Sequence, residues 1–318
     1  MQVPKIIVVG SANVDLVTRV PRAPKPGESI IGHSFATVTG GKGANQAVAA
    51  ARLGGAVTFL GCVGNDAFGQ QQREGLAQVG VDVSRLKVHA TEPTGTAVIL
   101  VADEGQNSIV VTPAANYGLT PDDIFAAEAL FRGADAVLLQ LEIPLETVEA
   151  ALDLAGRAGI LSILDAGPAQ KVSESLLCKA SIVSPNETEA EMMTGLAVGS
   201  VEEALAAALA LQQMGAREVV LKLGAQGSLY LGETEEFAPA FSVEAVDSTA
   251  AGDAFTAALA LVWRQVPVSE ALRFANAAGA LAATVHGAQP AMPTRRAVEA
   301  FLQGQQGPQG LPGQEGQA

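Results

Sequence analysis

Late in the chain, Asp247-Ser-Thr-Ala-Ala-Gly-Asp253 stands just ahead of a long apolar helical pattern. The spacing puts the Asp253 carboxylate in the first turn of a helix, after the small residues Ala250, Ala251 and Gly252. Free backbone N–H groups at such a terminus, together with the helix dipole, form an anion site. A base beside an anion site suits transfer of a phosphoryl group to a hydroxyl, where positioning and charge stabilisation supply most of the catalysis. The plainer reading is a helix N-terminus with a favourable acid in its first turn.

A second string, Thr39-Gly40-Gly41-Lys42-Gly43-Ala44-Asn45-Gln46, follows a short strand-like run and precedes the helix-forming stretch 47–53. Glycines at a strand-to-helix turn let backbone N–H groups approach a ligand, and Lys42 and Asn45 add directed polar contacts. It is not a Walker A loop, since Gly43 follows Lys42, nor a dinucleotide fingerprint, since Gln46 replaces the last glycine.

Other polar groups fall at predicted strand ends. The buried-strand pattern 5–10 runs into Ser11-Ala12-Asn13-Val-Asp15, either a ligand-binding edge or an Asx-rich turn. Glu142 lies just past the strand 136–141, as a polyol contact or as a helix-start partner near Pro144. Asn186 and Glu189, three apart after the strand at 182, share one helix face, where acids suit water-mediated Mg²⁺ near phosphates. The strand 218–223 leads into Gly224-Ala225-Gln226-Gly227, whose small residues would let an adenine or ribose ring lie against backbone. Asn276, inside the helix pattern 268–285, reads equally as a satisfied core amide or a nucleotide contact.

These groups need a sheet with one common edge. From residue 121 helix and strand patterns alternate: helix 122–131, strand 136–141, helix 145–158, strand 160–164 ending at Asp165. That rhythm predicts right-handed βαβ units and a parallel sheet in an α/β fold. Residues 94–102 and 107–112 alternate apolar and polar around Glu104-Gly105-Gln106, a hairpin that could join the Pro-rich excursion 19–38 in a small separate sheet. Such a sheet would act as a lid, and its apolar face would invite a second copy.

Composition narrows the classes. The chain has 318 residues, enough for one large domain or two ordinary ones, and 48% of them are hydrophobic. A formal charge of −14 argues against general nucleic-acid binding. No apolar run reaches membrane-span length, and residues 1–10 enter a strand pattern without a basic stretch, so a cytoplasmic protein is expected. Cys62 and Cys178 sit in apolar segments and are expected as buried, reduced thiols. Three histidines outside metal spacing argue against a zinc hydrolase, and no Gly-x-Ser-x-Gly elbow occurs. From Gly304 glycine recurs at every third position, a Gly-X-Y period too short for a triple helix, so 303–318 is expected to be a disordered tail.

Gly-Gly-Lys-Gly-Ala-Asn-Gln near 40, Pro-Asn-Glu-Thr-Glu-Ala-Glu near 186 and Ala-Ala-Gly-Asp near 250 together resemble the ribokinase family of sugar kinases, in order and spacing, over 5 to about 302. The first string looks more like the ribokinase branch than the fructokinase, adenosine kinase or phosphofructokinase branches. The resemblance implies a three-layer α/β/α, mostly parallel sheet in one domain, 1–302, with a β-sheet lid from about 14–38 and 94–113. It implies Asp253 as the base for the sugar's primary hydroxyl and Ala250, Ala251 and Gly252 as the anion hole. Asn13, Asp15, Gly41, Lys42, Asn45 and Glu142 match sugar-holding positions, with Ser11, Ala12, Gly40 and Gly43 beside them. Asn186, Glu189, Lys222, Leu223, Gly224, Ala225, Gln226, Gly227, Gly252 and Asn276 match the nucleotide and Mg²⁺ side.

Asp247 and Thr249, with Ala282, Val285, Gly287 and Ala291, match a loop that binds a monovalent cation, usually K⁺. Ala291 stands where such kinases often carry serine, and Asn276 where a histidine is frequent. The expectation is ATP-dependent phosphorylation of D-ribose at O5, using Mg²⁺ and K⁺, by a homodimer formed through the lid sheet. The rivals are a kinase for 2-deoxyribose or another pentose or nucleoside, and a non-catalytic sugar sensor.

Overall fold

The computed structural model describes residues 3–305. Its strands are β1 (Lys5–Val9), β2 (Asn13–Val20), β3 (Ser34–Gly40), β4 (Ala56–Gly64), β5 (Leu86–His89), β6 (Gly95–Ala102), β7 (Asn107–Thr112), β8 (Ala136–Leu139), β9 (Leu161–Asp165), β10 (Ile182–Ser184), β11 (Glu218–Lys222), β12 (Gly227–Leu231) and β13 (Glu235–Pro239). Nine of them form one sheet in the order β13-β12-β11-β10-β9-β8-β1-β4-β5, and the other four a small sheet, β3-β2-β6-β7. The large sheet is parallel from β5 to β11 and antiparallel only at β12 and β13.

Both faces of the large sheet are covered, which is why its central strands read as unbroken apolar runs. In β1, Ile6 and Val8 face one core and Ile7 and Val9 the other. The helices Lys42–Arg52, Ala251–Val262 and Val268–Ala283 close the first core through Ala47, Phe255, Leu259 and Ala275. Leu145–Ala158, Glu187–Thr194 and Val201–Gln213 close the second through Val148, Leu152, Ala190 and Leu211. This is the expected three-layer architecture. Local chemistry starts several helices: Asp66, Asn186, Ser200 and Thr294 each accept a first-turn N–H, and Asn186 with Glu189 forms a reciprocal capping box.

The small sheet pairs β2 with β6 in parallel and with β3 in antiparallel fashion, and β7 runs antiparallel along β6. The strand that joins the hairpin begins at Asn13, whereas 21–33 remains loop. Asn13 and Asp15 therefore lie in a strand and not in an Asx-rich turn. All of β7 is exposed, and Phe35, Val98, Ile109, Val110 and Val111 present apolar surface to solvent.

Four other local expectations change. The helix expected at 47–53 already begins at Lys42, because Gly41 turns the chain at φ 90° and Gly43 lets this terminus sit on β1's end. A Cβ at Gly43 would lie 2.6 Å from the Ser11 nitrogen. The helix expected over 122–131 is two short ones, Pro121–Phe125 and Glu128–Phe131, separated where Ala127 N–H tightens onto Ile124 O. Cys62 is buried but Cys178 is exposed, since Leu176 and Leu177 take the inward positions of that turn. The last helix runs Arg295–Gly304, so residues 303 and 304 are helical, and the Gly-X-Y stretch from 306 lies outside the described residues. No helix among the described residues is long and apolar enough to cross a membrane.

Candidate active site

The carboxyl ends of β1, β8, β9, β10 and β11 share one edge of the parallel sheet, and each delivers a polar group there, as expected for an open α/β sheet. Ser11 follows β1, Gln140 and Glu142 follow β8, Asp165 ends β9, Asn186 follows β10 and Lys222 ends β11. The N-termini of the helices Lys42–Arg52 and Ala251–Val262 meet at the same edge, joined by side-chain bonds from the first to the second.

Asp253 is 4% exposed, and each of its oxygens accepts one amide proton: Oδ2 from Asn45 Nδ2 at 3.0 Å and Oδ1 from Gln46 Nε2 at 3.1 Å. Burial pushes its carboxyl up to about 6; the Lys42 charge opposes this and the Asp165 charge adds to it. Asp165 is fully buried and bonded by Lys222 Nζ at 2.9 Å, Gln46 Nε2 at 2.9 Å and Thr256 Oγ1 at 3.2 Å. Burial works against its charge, but Lys222 and Lys42 outweigh that and hold it below the ordinary carboxylate range. The sheet edge thus holds one carboxylate whose charge its neighbours favour and one whose proton affinity burial raises.

Ahead of Asp253 the chain turns at Ala250, a non-glycine residue in the left-handed region at φ 60°. Such a conformation costs about 1–3 kcal/mol and persists only where the surroundings hold it. No side chain caps this helix. Its first-turn N–H groups at Gly252 and Asp253 are left open beside Lys222, whose Nζ would lie 3.8 Å from a Cβ at Gly252. The open terminus borders a cavity of about 530 Å³ lined by Lys222, Gly224, Ala225, Ala251, Gly252 and Asn276, among others. Gly224 and Gly227 both take positive φ, and a Cβ at Gly227 would meet the Ala240 nitrogen at 2.7 Å. Asn276 lines this space while its amide N–H groups hold the carbonyls of Ala238, at 3.0 Å, and Pro239, at 3.3 Å. Leu223 is buried in the second core and does not line the cavity, and Gln226 turns away to Gly199 O.

On the other side of Asn45, Glu142 Oε2 gathers Ser11 Oγ, Lys42 N at 3.1 Å and Asn13 Nδ2 at 3.5 Å. Asn116, which the sequence did not single out, bonds Asn13 Oδ1 at 2.7 Å and Ala12 N at 2.9 Å, fixing the turn after β1. Asp15 packs against Gly40, where a Cβ would crowd both of its oxygens. Burial, then the Glu142 charge, pushes Asp15 up to about 7. The Asn45 Oδ1 atom has no protein partner.

Lys42 spans the two halves. Burial disfavours its charge, but Asp165, Asp253, Glu189 and Glu142 together hold it well above the ordinary lysine range. Its Nζ is 3.7 Å from Glu189 Oε1, while Glu189 Oε2 accepts from Asn186 N at 2.8 Å. In the expected cation loop, Asp247 accepts from Thr249 N and Gly287 N, both at 2.9 Å, which ties the two loop segments together. Val285 is half exposed and Ala282 and Ala291 are buried nearby. Among the described residues no three His, Cys, Asp or Glu side chains gather to hold a metal ion.

Gln46, Gln140 and Thr256 complete the buried network although the sequence alone does not mark them as site residues, and it marks Asp165 only as the end of a strand. A polar residue closing an otherwise apolar strand, as at Gln140 and Asp165, was the available signal.

The profile of the pfkB family carbohydrate kinases matches residues 3–295. The chain is 40% identical over 300 residues to a ribokinase from Haemophilus influenzae, covering 94% of this chain and 98% of that protein. It is 35% identical over 300 residues to a deoxyribokinase from Salmonella typhi, covering 93% and 98%. The structure of Arabidopsis thaliana ribokinase complexed with ribose and ATP superposes with a TM-score of 0.88 at 36% identity, covering 95% of this chain and 99% of that one. With its family profile spanning the sheet and both helix termini that build this edge, the chain belongs to the pfkB family of carbohydrate kinases.

Proposed function

We propose that the chain is an ATP-dependent kinase that phosphorylates D-ribose at its 5-hydroxyl. The observation that carries this reading is the Asp253 carboxylate, raised to about 6, in the first turn of an uncapped helix bordering a nucleotide-sized cavity. Its relatives include a ribokinase and a structure holding ribose and ATP, which supports both substrates. The polar cluster of Ser11, Asn13, Asp15, Lys42 and Glu142 would hold the sugar, and the unpartnered Asn45 Oδ1 is a ready acceptor for one of its hydroxyls.

In the reaction the 5-hydroxyl gives its proton to Asp253 as its oxygen bonds to the γ-phosphorus and the bond to the β-phosphate oxygen breaks. The open N–H groups at Gly252 and Asp253 and the Lys222 ammonium would bear the charge on the moving phosphoryl group. Mg²⁺, when bound, neutralises phosphate charge. Since no three-acid cage occurs among the described residues, the phosphates and water would carry it, with Glu189 and Asn186 beside them. The Asp247 loop would hold K⁺: burial works against its carboxylate's charge, and the hydrogen bonds from Thr249 and Gly287 outweigh that. The proposal places the protein in the cytoplasm, where ATP is supplied.

ADP release measured with D-ribose, 2-deoxyribose, nucleosides and no sugar tests this. Ribose is expected to be preferred over 2-deoxyribose by at least about 10- to 10²-fold in kcat/KM, since a buried polar group left without its hydroxyl partner costs about 1–3 kcal/mol. Equal rates with 2-deoxyribose would favour the reading that the deoxyribokinase relative raises. Binding of ribose without any ADP release would indicate a sensor. Run against pH, kcat/KM should fall on the acid side between about 7 and about 6, where Asp15 and Asp253 take up protons; a flat profile there would remove Asp253 as the base.

The proposal includes the small sheet as a lid whose exposed apolar face meets a second copy. Val110→Glu together with Ile109→Lys is expected to convert a sedimenting dimer into a monomer; a parent chain that sediments as a monomer would refute the pairing.

A further inference from the structure

Asp253 and Asp165 are the two carboxylates of the buried network, and one side chain touches both. Gln46 Nε2 lies 2.9 Å from Asp165 Oδ2 and 3.1 Å from Asp253 Oδ1, so its two amide protons serve one carboxylate each. An amide can enter such a site in two orientations, and the wrong one would turn its oxygen onto two anions. Here the orientation is fixed from the far side, because Gln140 Nε2 donates to Gln46 Oε1 at 2.6 Å. Gln140 is fully buried where β8 ends, and its side-chain oxygen, which has no hydrogen-bond partner in the protein, is packed against Gly10, where there is no room for a Cβ. Gln46, also fully buried, stands one turn after Lys42 on the same helix, so the group that ties the carboxylates is on the element that carries Asn45.

Asp165 in turn is held by Lys222, at the anion-binding side, and by Thr256, one turn after Asp253 on the same helix. The chain of contacts therefore runs from the open helix terminus through Lys222, Asp165 and Gln46 back to Asp253. Without Gln46, Asp253 would keep a single donor, Asn45, and its carboxylate plane could rotate about that one bond. A bridging amide removes that rotation, and a displacement of about 1 Å at a reacting group can cost about 10²-fold in rate.

We propose that Gln46, its amide turned by Gln140, is a positioning residue for phosphoryl transfer that locks the Asp253 carboxylate to the Asp165–Lys222 ion pair. The inference rests on Asp253 as the acceptor of the sugar proton, and it assigns to Gln46 and Gln140 a role in the reaction that neither the sugar nor the nucleotide needs for binding.

The test is steady-state kinetics of the full chain carrying Gln46→Leu or Gln140→Leu, each close in volume to the parent residue. Gln46→Leu should lower kcat by about 10- to 10²-fold while the KM values for ribose and ATP stay near the parent's. Removing an N–H donor from the ionised carboxylate disfavours the charged form, so the acid limb of kcat/KM should move to higher pH by about half a unit to one unit. Gln140→Leu, which touches neither carboxylate, should shift the limb in the same direction by less. A role in packing alone would lower the melting temperature and leave kcat and the acid limb at parent values, and that outcome in either folded variant overturns the proposal. If Asp253→Asn keeps parent turnover, the base assignment fails; if Asp253→Asn is inactive and both glutamine variants are unaffected, only the positioning role fails.

Discussion

Asp253→Asn is expected to reduce kcat by about 10²–10⁴-fold, the range typical of losing a general base, with ribose affinity nearly unchanged. The reason is specific to the site. Both Asp253 oxygens accept amide protons, from Asn45 and Gln46. An asparagine in the same space keeps one acceptor oxygen and presents its own NH₂ to the other donor, so it can neither take the sugar proton nor hold the parent orientation. Folding should not suffer in proportion, because burial and the Asp165 charge already make the Asp253 anion costly and a neutral amide relieves that cost. Calorimetric titration with ribose beside single-turnover ADP release checks both halves. Turnover within a few-fold of the parent would end the assignment of Asp253 as base.

The second large effect concerns stability. Lys222→Met should destabilise the protein by about 3–5 kcal/mol, because it leaves a buried carboxylate without its closest counter-charge. Asp165 has no solvent exposure and Lys222 only 8%, with 2.9 Å between Nζ and Oδ1, so water entering from the cavity side would replace the lost ammonium only in part. Gln46, Thr256 and Lys42 remain near Asp165, but the two hydrogen bonds are neutral donors and the Lys42 charge is shared with Asp253, Glu189 and Glu142. Urea unfolding of the single variant, of Asp165→Asn and of the double variant provides the cycle. The double variant should recover a large part of the loss, since both charges then leave together. A single variant as stable as the parent would show that the pair is not what holds this edge of the sheet. The same substitution removes the ammonium beside Gly252 and should raise the KM for ATP, which separates it from variants that act on packing alone.

Much of the fold was legible because its signals are local. The apolar run of β1 and the alternation around Glu104-Gly105-Gln106 each act over a few residues. The strings around Lys42 and Asn186 each sit on one strand–turn–helix junction and the string around Asp253 on a loop–helix junction, so each fragment of the site was visible as a fragment. The misread parts depended on partners elsewhere. Residues 14–38 were expected to supply part of a small sheet, but only the fold shows that its strand starts at Asn13, because β6, some eighty residues later, supplies a parallel ladder from that residue on. Cys178 lay in an apolar segment, yet the turn it closes sends Leu176 and Leu177 inward and leaves the thiol outside.

The site divides in the same way. By itself the sequence determined which junctions carry anion-binding backbone and reactive side chains, since glycine, proline and capping preferences are settled within a turn or two of chain. Only the tertiary structure decided which of those groups share protons. Gln46 is bonded to Gln140, Asp165 and Asp253, which lie 94, 119 and 207 residues away along the chain. On its own helix Gln46 is an ordinary polar residue, and it becomes part of a buried network only when the helix of Asp253 packs across the sheet edge and excludes water. Burial raises the proton affinity of Asp253, and burial belongs to the packed chain and to no segment of it.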